Sequence, residues 1–215
     1  MYAIDIPEKL YNYMSIKKLL KVVKSDTWNF GRLIDMNDYK ERKTIYTNFS
    51  REEILNLRYS CFSKYNNISP MWYFYGDKYK GVCIEFLSKD LDSKYEVEFA
   101  PIEYLNFTDP KSWHINNRNL KEYLSSKLSY WEYEQEIRMF YTGKDKSLHN
   151  ITSVISKIFL GPDFDTESLK QYVPLKDFLR SFYDEGKLVE MQGIGDGRII
   201  TKHSVISENL QKALE

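Results

Sequence analysis

Residues that bind structural metals or form disulfides are scarce in this chain of 215 residues. It has two cysteines, Cys61 and Cys83, and three histidines that are scattered singly. Neither set has the spacing of a zinc finger or of a paired-ligand metal site, so we expect reduced thiols and no bound metal. The sequence also lacks the G-x-S-x-G and H-E-x-x-H motifs of common hydrolases.

An excess of one charge and a long apolar run are also missing. The 31 Lys and Arg residues balance 31 Asp and Glu residues, which argues against a purely electrostatic nucleic-acid binder. No stretch of about eighteen apolar residues occurs, and the first ten residues do not have the pattern of a signal peptide. We therefore expect a cytoplasmic protein with no membrane partner.

The chain does contain enough apolar residues to build a core, with 42% hydrophobic and 16% aromatic residues. No internal repeat, Ser/Gly linker or low-complexity block divides it, so residues 1–215 are predicted to form a single globular domain. About seven short strands mix irregularly with four helices, which does not give a regular βαβ alternation. The predicted fold is α+β, a mainly antiparallel mixed sheet flanked by helices.

Capping residues and hydrophobic spacing indicate where several elements begin. Ser15 precedes apolar residues at helical spacing, and Ser50 with Glu53 has the pattern of a capping box. Alternating residues in 81–86 predict a strand with one buried face. Four apolar residues spaced by four, four and three positions predict a single helix from about residue 117. These residues are Leu120, Leu124, Leu128 and Trp131.

The segment 131–141 contains the strongest candidates for chemistry. If it forms a strand, Glu134, Glu136 and Arg138 lie on one face because they are two residues apart. Two carboxylates beside a guanidinium can fix a ribose hydroxyl, stabilise a cationic transition state or act as a general base. A ladder of charges on a solvated strand face would have the same pattern.

A cluster of aromatic residues in 71–81 is the second candidate. The cluster can stack on a planar base or on nicotinamide. Tyr75 is the better ligand-binding candidate because its side chain ends in a polar hydroxyl. For Trp72 and Phe74, a place in the hydrophobic core is favoured. In residues 34–41, Asp38 and its neighbours are more typical of a turn or helix cap. The glycine-rich run 193–198 lacks the spacing of a dinucleotide-binding loop.

Short motifs along most of the chain, in this order, resemble a bacterial family known only as domain of unknown function 2971. The segments that carry the resemblance are Leu10-Tyr11-Asn12-Tyr13 with Ser15, Asn37-Asp38 with Glu41, Cys61-Phe62-Ser63, Met71-Trp72 with Tyr75, Gly81-Val82-Cys83-Ile84 with Phe86, Trp131, Tyr133-Glu134, Glu136, Arg138 and Leu160-Gly161-Pro162. That family usually has a basic residue or His in place of Asn12, and Pro followed by an aromatic or aliphatic residue in place of Tyr39 and Lys40. The resemblance implies no activity by itself.

A more distant similarity to ADP-ribosyltransferases does imply an activity. In that superfamily an early strand with a His/Arg and Thr/Ser motif leads into a helix, and a late strand carries a Glu, often in an E-x-E motif. Asn12, Tyr13 and Ser15 stand at the first motif, Tyr75 at a middle one, and Glu134-Gln135-Glu136 at the last. The similarity implies that Glu136 acts on the nicotinamide ribose, that Glu134 orients the acceptor and that Tyr75 stacks on nicotinamide.

The resemblance therefore predicts an NAD-dependent enzyme that transfers ADP-ribose or hydrolyses NAD, as a toxin or phage-defence effector. Its catalytic residues would be Glu136, Glu134 and Arg138, and NAD would be its substrate, with a protein or nucleic acid as acceptor. The residues that bind NAD would be Asn12, Tyr13, Ser15, Trp72 and Tyr75.

Two other functions fit the same residues. A non-enzymatic domain could bind a nucleotide or a partner in the same pocket. A nuclease could gather carboxylates around Mg²⁺, although no spacing requires it. The carboxylates would be those of Asp38, Glu41, Glu134 and Glu136.

Overall fold

The structure is a computed structural model that describes residues 5–31, 38, 43, 48–106, 108, 119–141, 143, 145–193, 199–201 and 206–215. Its strands are β1 (Lys9–Met14), β2 (Thr27–Asn29), β3 (Arg58–Ser63), β4 (Val82–Leu87), β5 (Val97–Pro101), β6 (Glu103–Leu105), β7 (Ser126–Leu128), β8 (Glu136–Tyr141), β9 (Ser147–His149), β10 (Ile155–Leu160), β11 (Leu188–Gly193) and β12 (Ile199–Thr201). Its α-helices are α1 (Ile16–Ser25), α2 (Arg51–Asn56), α3 (Ser69–Phe74), α4 (Ser88–Tyr95), α5 (Leu120–Tyr123), α6 (Val173–Asp184) and α7 (Glu208–Leu214). Short 3₁₀ helices cover Ser129–Glu134, Ile151–Val154 and Thr166–Gln171.

Eight strands form one mixed sheet in the order β12-β11-β10-β4-β1-β3-β8-β5. Strands β10 and β11 run parallel, and the other neighbouring strands of this sheet are antiparallel. Two small two-stranded sheets, β2 with β9 and β6 with β7, lie outside it. Helices flank the large sheet, so the predicted α+β class with a mainly antiparallel sheet is confirmed.

Local capping chemistry begins two of the helices where the sequence predicts. The Ser15 hydroxyl accepts a hydrogen bond from the Lys18 amide at the start of α1. Ser50 and Glu53 form the capping box of α2, in which each side chain accepts from the other residue's backbone amide. These contacts satisfy amides that have no partner within the first turn of a helix.

The two faces of the sheet pack against different layers. Leu10 and Met14 of β1 belong to a large apolar cluster that includes residues of α1 and α6. Tyr11 and Tyr13 point to the opposite face, because side chains alternate along a strand, and pack in a second cluster with Trp72 of α3. The large sheet is therefore covered on both faces near its centre.

Strand β4 shows the consequence of this double cover. The alternation of residues predicts one buried face, but Cys83 and Glu85 are as buried as the apolar residues between them. Because β4 lies between β1 and β10 in the middle of the sheet, neither of its faces meets solvent. Glu85 is held there by hydrogen bonds from Tyr11 and Ser156.

The sheet opens between β1 and β3. Each strand has six residues, yet the single registered pair between them is Tyr11 with Ser63. Further along β3, the Gly31 amide donates to the Tyr59 carbonyl. Gly31, which follows β2, thus pairs with β3 where β1 no longer does. The site described below lies where the two strands separate.

The predicted single helix from residue 117 is wrong where the structure describes the chain. Leu120 and Leu124 are buried around the short helix α5, and Leu128 ends strand β7. A 3₁₀ helix then carries Trp131. The spacing of apolar residues is that of a helix, but pairing of β7 with β6 takes residues 126–128 into a strand.

No membrane-spanning segment is found among the described residues, since each helix there is too short or too polar for the purpose.

Candidate functional site

A cavity of about 930 Å³ extends along β3. All six residues of β3 contribute to its lining. At one end of the strand Ser63 pairs with Glu136 of β8, and at the other end Arg58 pairs with Tyr141. Five residue steps of a strand span about 16 Å, so the cavity is long as well as wide. Its volume is near the upper end of the range for small-molecule sites, about 300–1,000 Å³.

Both candidate carboxylates line one end of this cavity, although the backbone brings them there differently from the prediction. The predicted strand over 131–141 begins at Glu136, whereas Glu134 ends a 3₁₀ helix. Gln135 lies between them in the left-handed region with φ of 47°. This residue turns the chain, so Glu134 and Glu136 do not share a strand face and yet meet in space.

Lys127 joins the two carboxylates. Its Nζ atom lies 2.6 Å from Oε2 of Glu134 and 2.6 Å from Oε2 of Glu136. The Lys127 side chain, at the centre of β7, is 10% exposed, and both carboxylates are more deeply buried. We name Lys127, Glu134, Glu136 and Arg138 the charged cluster.

Arg138 completes the charged cluster through its contact with Glu136. Its Nε donates to Oε1 of Glu136 at 2.7 Å, and its Nη1 donates to the Leu124 carbonyl at 2.5 Å. The side chain is fully buried, with its guanidinium carbon 5.6 Å from the centre of the Tyr59 ring. Buried charges need such partners because removal from water costs several kcal/mol per ion.

Neighbouring charges decide the protonation of this cluster. Burial alone would raise the pKa of Glu136, but Arg138 and Lys127 lower it to about 2. Burial opposes the charge of Lys127, yet Glu136 and Glu134 keep the pKa of its ammonium above the usual value. Glu136 and Lys127 are therefore both charged at neutral pH.

Tyr75 is the aromatic residue of segment 71–81 that reaches the cluster. It follows helix α3, lines the cavity and donates its phenol hydrogen to Oε1 of Glu134 at 2.5 Å. A phenol bound to a charged group makes a short and strong hydrogen bond. This contact brings Tyr75 and Glu134 together at one end of the cavity.

Replacing Tyr75 by Phe is expected to lower the free energy of unfolding by about 1.5–3 kcal/mol, because a buried carboxylate loses a hydrogen bond. Chemical denaturation measures the change. Tyr73→Phe in the last turn of α3 is the matched control, since Tyr73 is 45% exposed and should change stability by less than about 0.5 kcal/mol. Equal losses in both variants would contradict the assigned bond.

Asn12 and Tyr13 also line the cavity, from β1. The Asn12 amide donates to the Cys61 carbonyl at 2.8 Å, across the opening between β1 and β3. The Tyr13 hydroxyl donates to the Tyr65 carbonyl at 2.7 Å, and its ring packs edge-on against Trp72. Asn12 and Tyr13 therefore help to hold the cavity walls in place.

The other predicted ligand-binding residues have different positions. Ser15 caps α1, and Trp72 is fully buried with its indole N–H bound to the Asn66 carbonyl. Neither belongs to the described residues that line the cavity. Trp72 is a core residue, as one interpretation of the sequence favours, whereas Phe74 is 66% exposed and is not.

Cys61 opens onto the cavity, and Cys83 is buried in the sheet. The surrounding protein excludes water from the Cys61 thiol and raises its pKa, and the negative charge of Glu136 raises it further. Burial raises the pKa of the Cys83 thiol. Both are free cysteines, as the sequence predicts. A protonated thiol is a poor nucleophile, so the cavity does not present an activated cysteine.

Cations prevail along the rest of the cavity wall. Apart from the charged cluster, the charged residues in the described part of the lining are Lys18, Arg58, Lys146 and Asp38. Lys18 Nζ lies 5.7 Å from the centre of the Trp28 ring, and Arg58 stands at the far end of β3 from Ser63. At the end of the cavity that holds the charged cluster, the two basic residues balance the two carboxylates. Along the rest of the described lining, basic residues outnumber acidic ones.

The carboxylates proposed for a metal site are only partly described. Asp38 is buried and lines the cavity, whereas Glu41 and Asn37 lie outside the described residues, as does most of the run 193–198. Among residues with described positions, no group of three His, Cys, Asp or Glu side chains is arranged to hold a metal ion.

Lys127 is the functional candidate that the sequence does not reveal. The predicted helix through residues 117–131 would place Lys127 outside its apolar face, on the polar helix surface. Its position depends on the pairing of β7 with β6, which has three registered residues. A contact of this kind is non-local, and no spacing in the sequence signals it.

Comparison with known proteins gives no match: no family model fits the chain, and no characterised protein or solved structure is significantly similar to it. The functional assignment therefore depends on the chemistry of the site itself.

Proposed function

We propose that this protein binds NAD in the cavity along β3 and cleaves the bond between nicotinamide and ribose. One observation carries the proposal: a single cavity of about 930 Å³ is lined by Glu134, Glu136, Tyr75 and Asn12, together with basic residues along its length. NAD has the matching parts, which are two planar rings, ribose hydroxyls and a diphosphate.

The reaction breaks the C–N bond of the nicotinamide riboside, and the bonding electron pair leaves with nicotinamide. Positive charge develops on the ribose, and the Glu136 carboxylate would stabilise it. Glu136 is ionised for this role because Arg138 and Lys127 lower its pKa to about 2. An oxygen or nitrogen of the acceptor then forms the new bond to ribose and releases its proton.

Glu134 and Tyr75 would serve the other reactant and the leaving group. The Tyr75 hydroxyl fixes the position of Glu134 at 2.5 Å, and a fixed carboxylate can orient the attacking group. The ring of Tyr75 offers a face for nicotinamide. The acceptor is water or a nucleophile of a protein or nucleic acid.

The basic part of the cavity supports a ligand that carries phosphate. Lys18, Arg58 and Lys146 line it against the single carboxylate of Asp38 within the described lining. Basic side chains bind phosphate oxygens by charge-assisted hydrogen bonds. We therefore place the diphosphate of NAD along this part of β3 and its nicotinamide beside Tyr75.

The order of the matching motifs is a further support. By resemblance to ADP-ribosyltransferases, the first motif has Asn12, Tyr13 and Ser15, the second has Tyr75, and the third has Glu134 and Glu136. All of these line one cavity except Ser15, which caps α1. We accordingly propose an ADP-ribosyltransferase-like arrangement, and membership of the family of domain of unknown function 2971. An enzyme that consumes NAD would suit a toxin or a phage-defence effector.

A non-enzymatic nucleotide-binding domain is the second candidate, and one observation favours it. Both carboxylates already have partners: Glu134 is bound by Tyr75 and Lys127, and Glu136 by Lys127 and Arg138. If these contacts persist with a ligand present, neither carboxylate is available to act on it. Binding of NAD without release of nicotinamide distinguishes this candidate from the enzyme.

Binding is tested by melting temperature. At a hundredfold excess over Kd, NAD should stabilise the protein by about 2.7 kcal/mol, which corresponds to a rise of about 5–10 °C for a chain of this length. ADP-ribose should act similarly, whereas nicotinamide riboside, which lacks the diphosphate, should have a weaker effect.

The Lys18→Gln variant separates this interpretation from nonspecific stabilisation. Loss of one charged contact to phosphate should weaken NAD binding about tenfold. Lys21→Gln on the same helix is the matched control, because Lys21 is exposed and does not line the cavity. Failure of NAD to change the melting temperature of the wild-type protein would contradict the proposed function.

A further inference from the structure

Two buried carboxylates share one ammonium in this site. Lys127 Nζ lies 2.6 Å from an oxygen of Glu134 and 2.6 Å from an oxygen of Glu136. These two oxygens can therefore be no further apart than twice that distance. At such a separation inside a protein, two carboxylates cannot both stay ionised without a compensating charge.

Within the part of the chain that the structure describes, the other groups around the carboxylates do not supply enough of that charge. Glu136 faces Arg138 on β8, Cys61 on β3 and Tyr104 on β6. Glu134 faces Tyr75 and its neighbour Tyr133. Burial raises the pKa of the Tyr104 and Tyr133 phenols. The surrounding protein and the charge of Glu136 raise the pKa of the Cys61 thiol, so all three groups are neutral at ordinary pH.

Among the neighbours whose positions are described, Arg138 is thus the one permanent charge besides Lys127. Its bond goes to Oε1 of Glu136 and its Nη1 is directed to the Leu124 carbonyl. Glu134 has its ion pair with Lys127 among residues 5–31, 48–106 and 119–141, where the contact that Tyr75 gives it is a neutral phenol.

We propose that Lys127 is a positioning residue that keeps Glu134 and Glu136 ionised together and at a fixed separation, so that the two carboxylates can take different roles in one reaction. The inference rests on the proposed function for its reaction, while the state of the carboxylate pair can be measured without it. Lys127 acts through the carboxylates and needs no contact with the substrate.

Lys127→Met removes the shared ammonium and should leave one proton on the pair, held by Glu134, because Arg138 favours the charged form of Glu136. The folded variant then binds a proton that the unfolded chain has lost above a pKa of about 4.3. Its stability should therefore fall as the pH rises from 5 to 8. Wild-type stability should be nearly constant over this range, because the pKa of Glu136 is lowered and its contribution is lost only in acid.

Nicotinamide release gives the second measurement. In Lys127→Met the rate should rise by up to about tenfold per pH unit over the range in which the carboxylate pair holds its extra proton, because the reaction needs both carboxylates ionised. The wild-type rate should change little between pH 6 and 8. A side chain with a merely structural role would lower the rate by the same factor at every pH.

Two further variants keep the test decisive if Lys127→Met folds poorly. Lys127→Met with Glu134→Gln removes one carboxylate along with the ammonium, so it should be more stable than Lys127→Met at pH 8 and its stability should no longer fall with pH. Lys121→Met is the matched control, because Lys121 lies on the neighbouring helix α5 with its side chain 39% exposed.

The outcomes separate the two proposals. A wild-type protein that releases no nicotinamide, with Lys127→Met still losing stability as the pH rises, overturns the proposed function and leaves the charge role of Lys127 standing. A Lys127→Met protein with the flat stability profile of the wild type, or a double variant no more stable than Lys127→Met, overturns the inference about Lys127.

Discussion

Glu136→Gln should reduce nicotinamide release from NAD by at least about a hundredfold, the effect of removing one preorganised electrostatic contact to a transition state. Gln has nearly the shape of Glu and can still accept a hydrogen bond from Arg138. It lacks the negative charge that would stabilise the developing positive charge on ribose. NAD binding should therefore remain while turnover is lost, because the missing interaction is strongest in the transition state.

Glu136→Gln should also destabilise the folded protein, and this loss of stability must be separated from the loss of turnover. Glu136 is 3% exposed and paired with Arg138 and Lys127, and removal of one partner from a buried ion pair destabilises a protein by about 3–5 kcal/mol. The variant must be assayed well below its own melting temperature, with circular dichroism to establish that it is folded.

Glu85→Gln is the matched control for Glu136→Gln. Glu85 is 2% exposed in the same sheet and accepts hydrogen bonds from Tyr11 and Ser156, but it does not line the cavity. It should lose stability and keep its turnover. Equal loss of turnover in both variants would mean that Glu136 acts through stability alone, and full activity in Glu136→Gln would remove it from the mechanism.

Arg138→Met should lower the free energy of unfolding by about 3–5 kcal/mol, since it leaves two buried carboxylates with the single charge of Lys127. The guanidinium also satisfies the Leu124 carbonyl and stacks near Tyr59, and a methionine replaces neither contact. Equilibrium denaturation with urea measures the loss.

The exposed Arg180 of helix α6 provides the comparison for Arg138. Arg180→Met should change stability by less than about 0.5 kcal/mol. If Arg138→Met were no less stable than Arg180→Met, the charged cluster would not contribute to folding in the way its geometry indicates.

Elements set by local chemistry could be predicted from the sequence. The Ser15 hydroxyl and the Ser50–Glu53 box act within one helical turn, so the residues themselves fix where α1 and α2 begin. Strand β4 follows from the alternating residues of 81–86. The α+β class follows from the order of such elements.

Features set by distant contacts could not be predicted in this way. Residues 126–128 have helical spacing but pair with β6, and this pairing brings Lys127 to the carboxylates. The left-handed Gln135 separates Glu134 from β8. The sequence thus identifies the two carboxylates and the arginine of the charged cluster, but not the lysine that joins them or the route by which they meet.

The most direct test of the account is a time course of nicotinamide release from NAD by the wild-type protein, with Glu136→Gln and Glu85→Gln assayed in parallel. The account predicts steady release by the wild type and Glu85→Gln, one nicotinamide for each ADP-ribose transferred or freed, and none above background from folded Glu136→Gln. An inert wild-type protein, or release by Glu136→Gln at the wild-type rate, would contradict it.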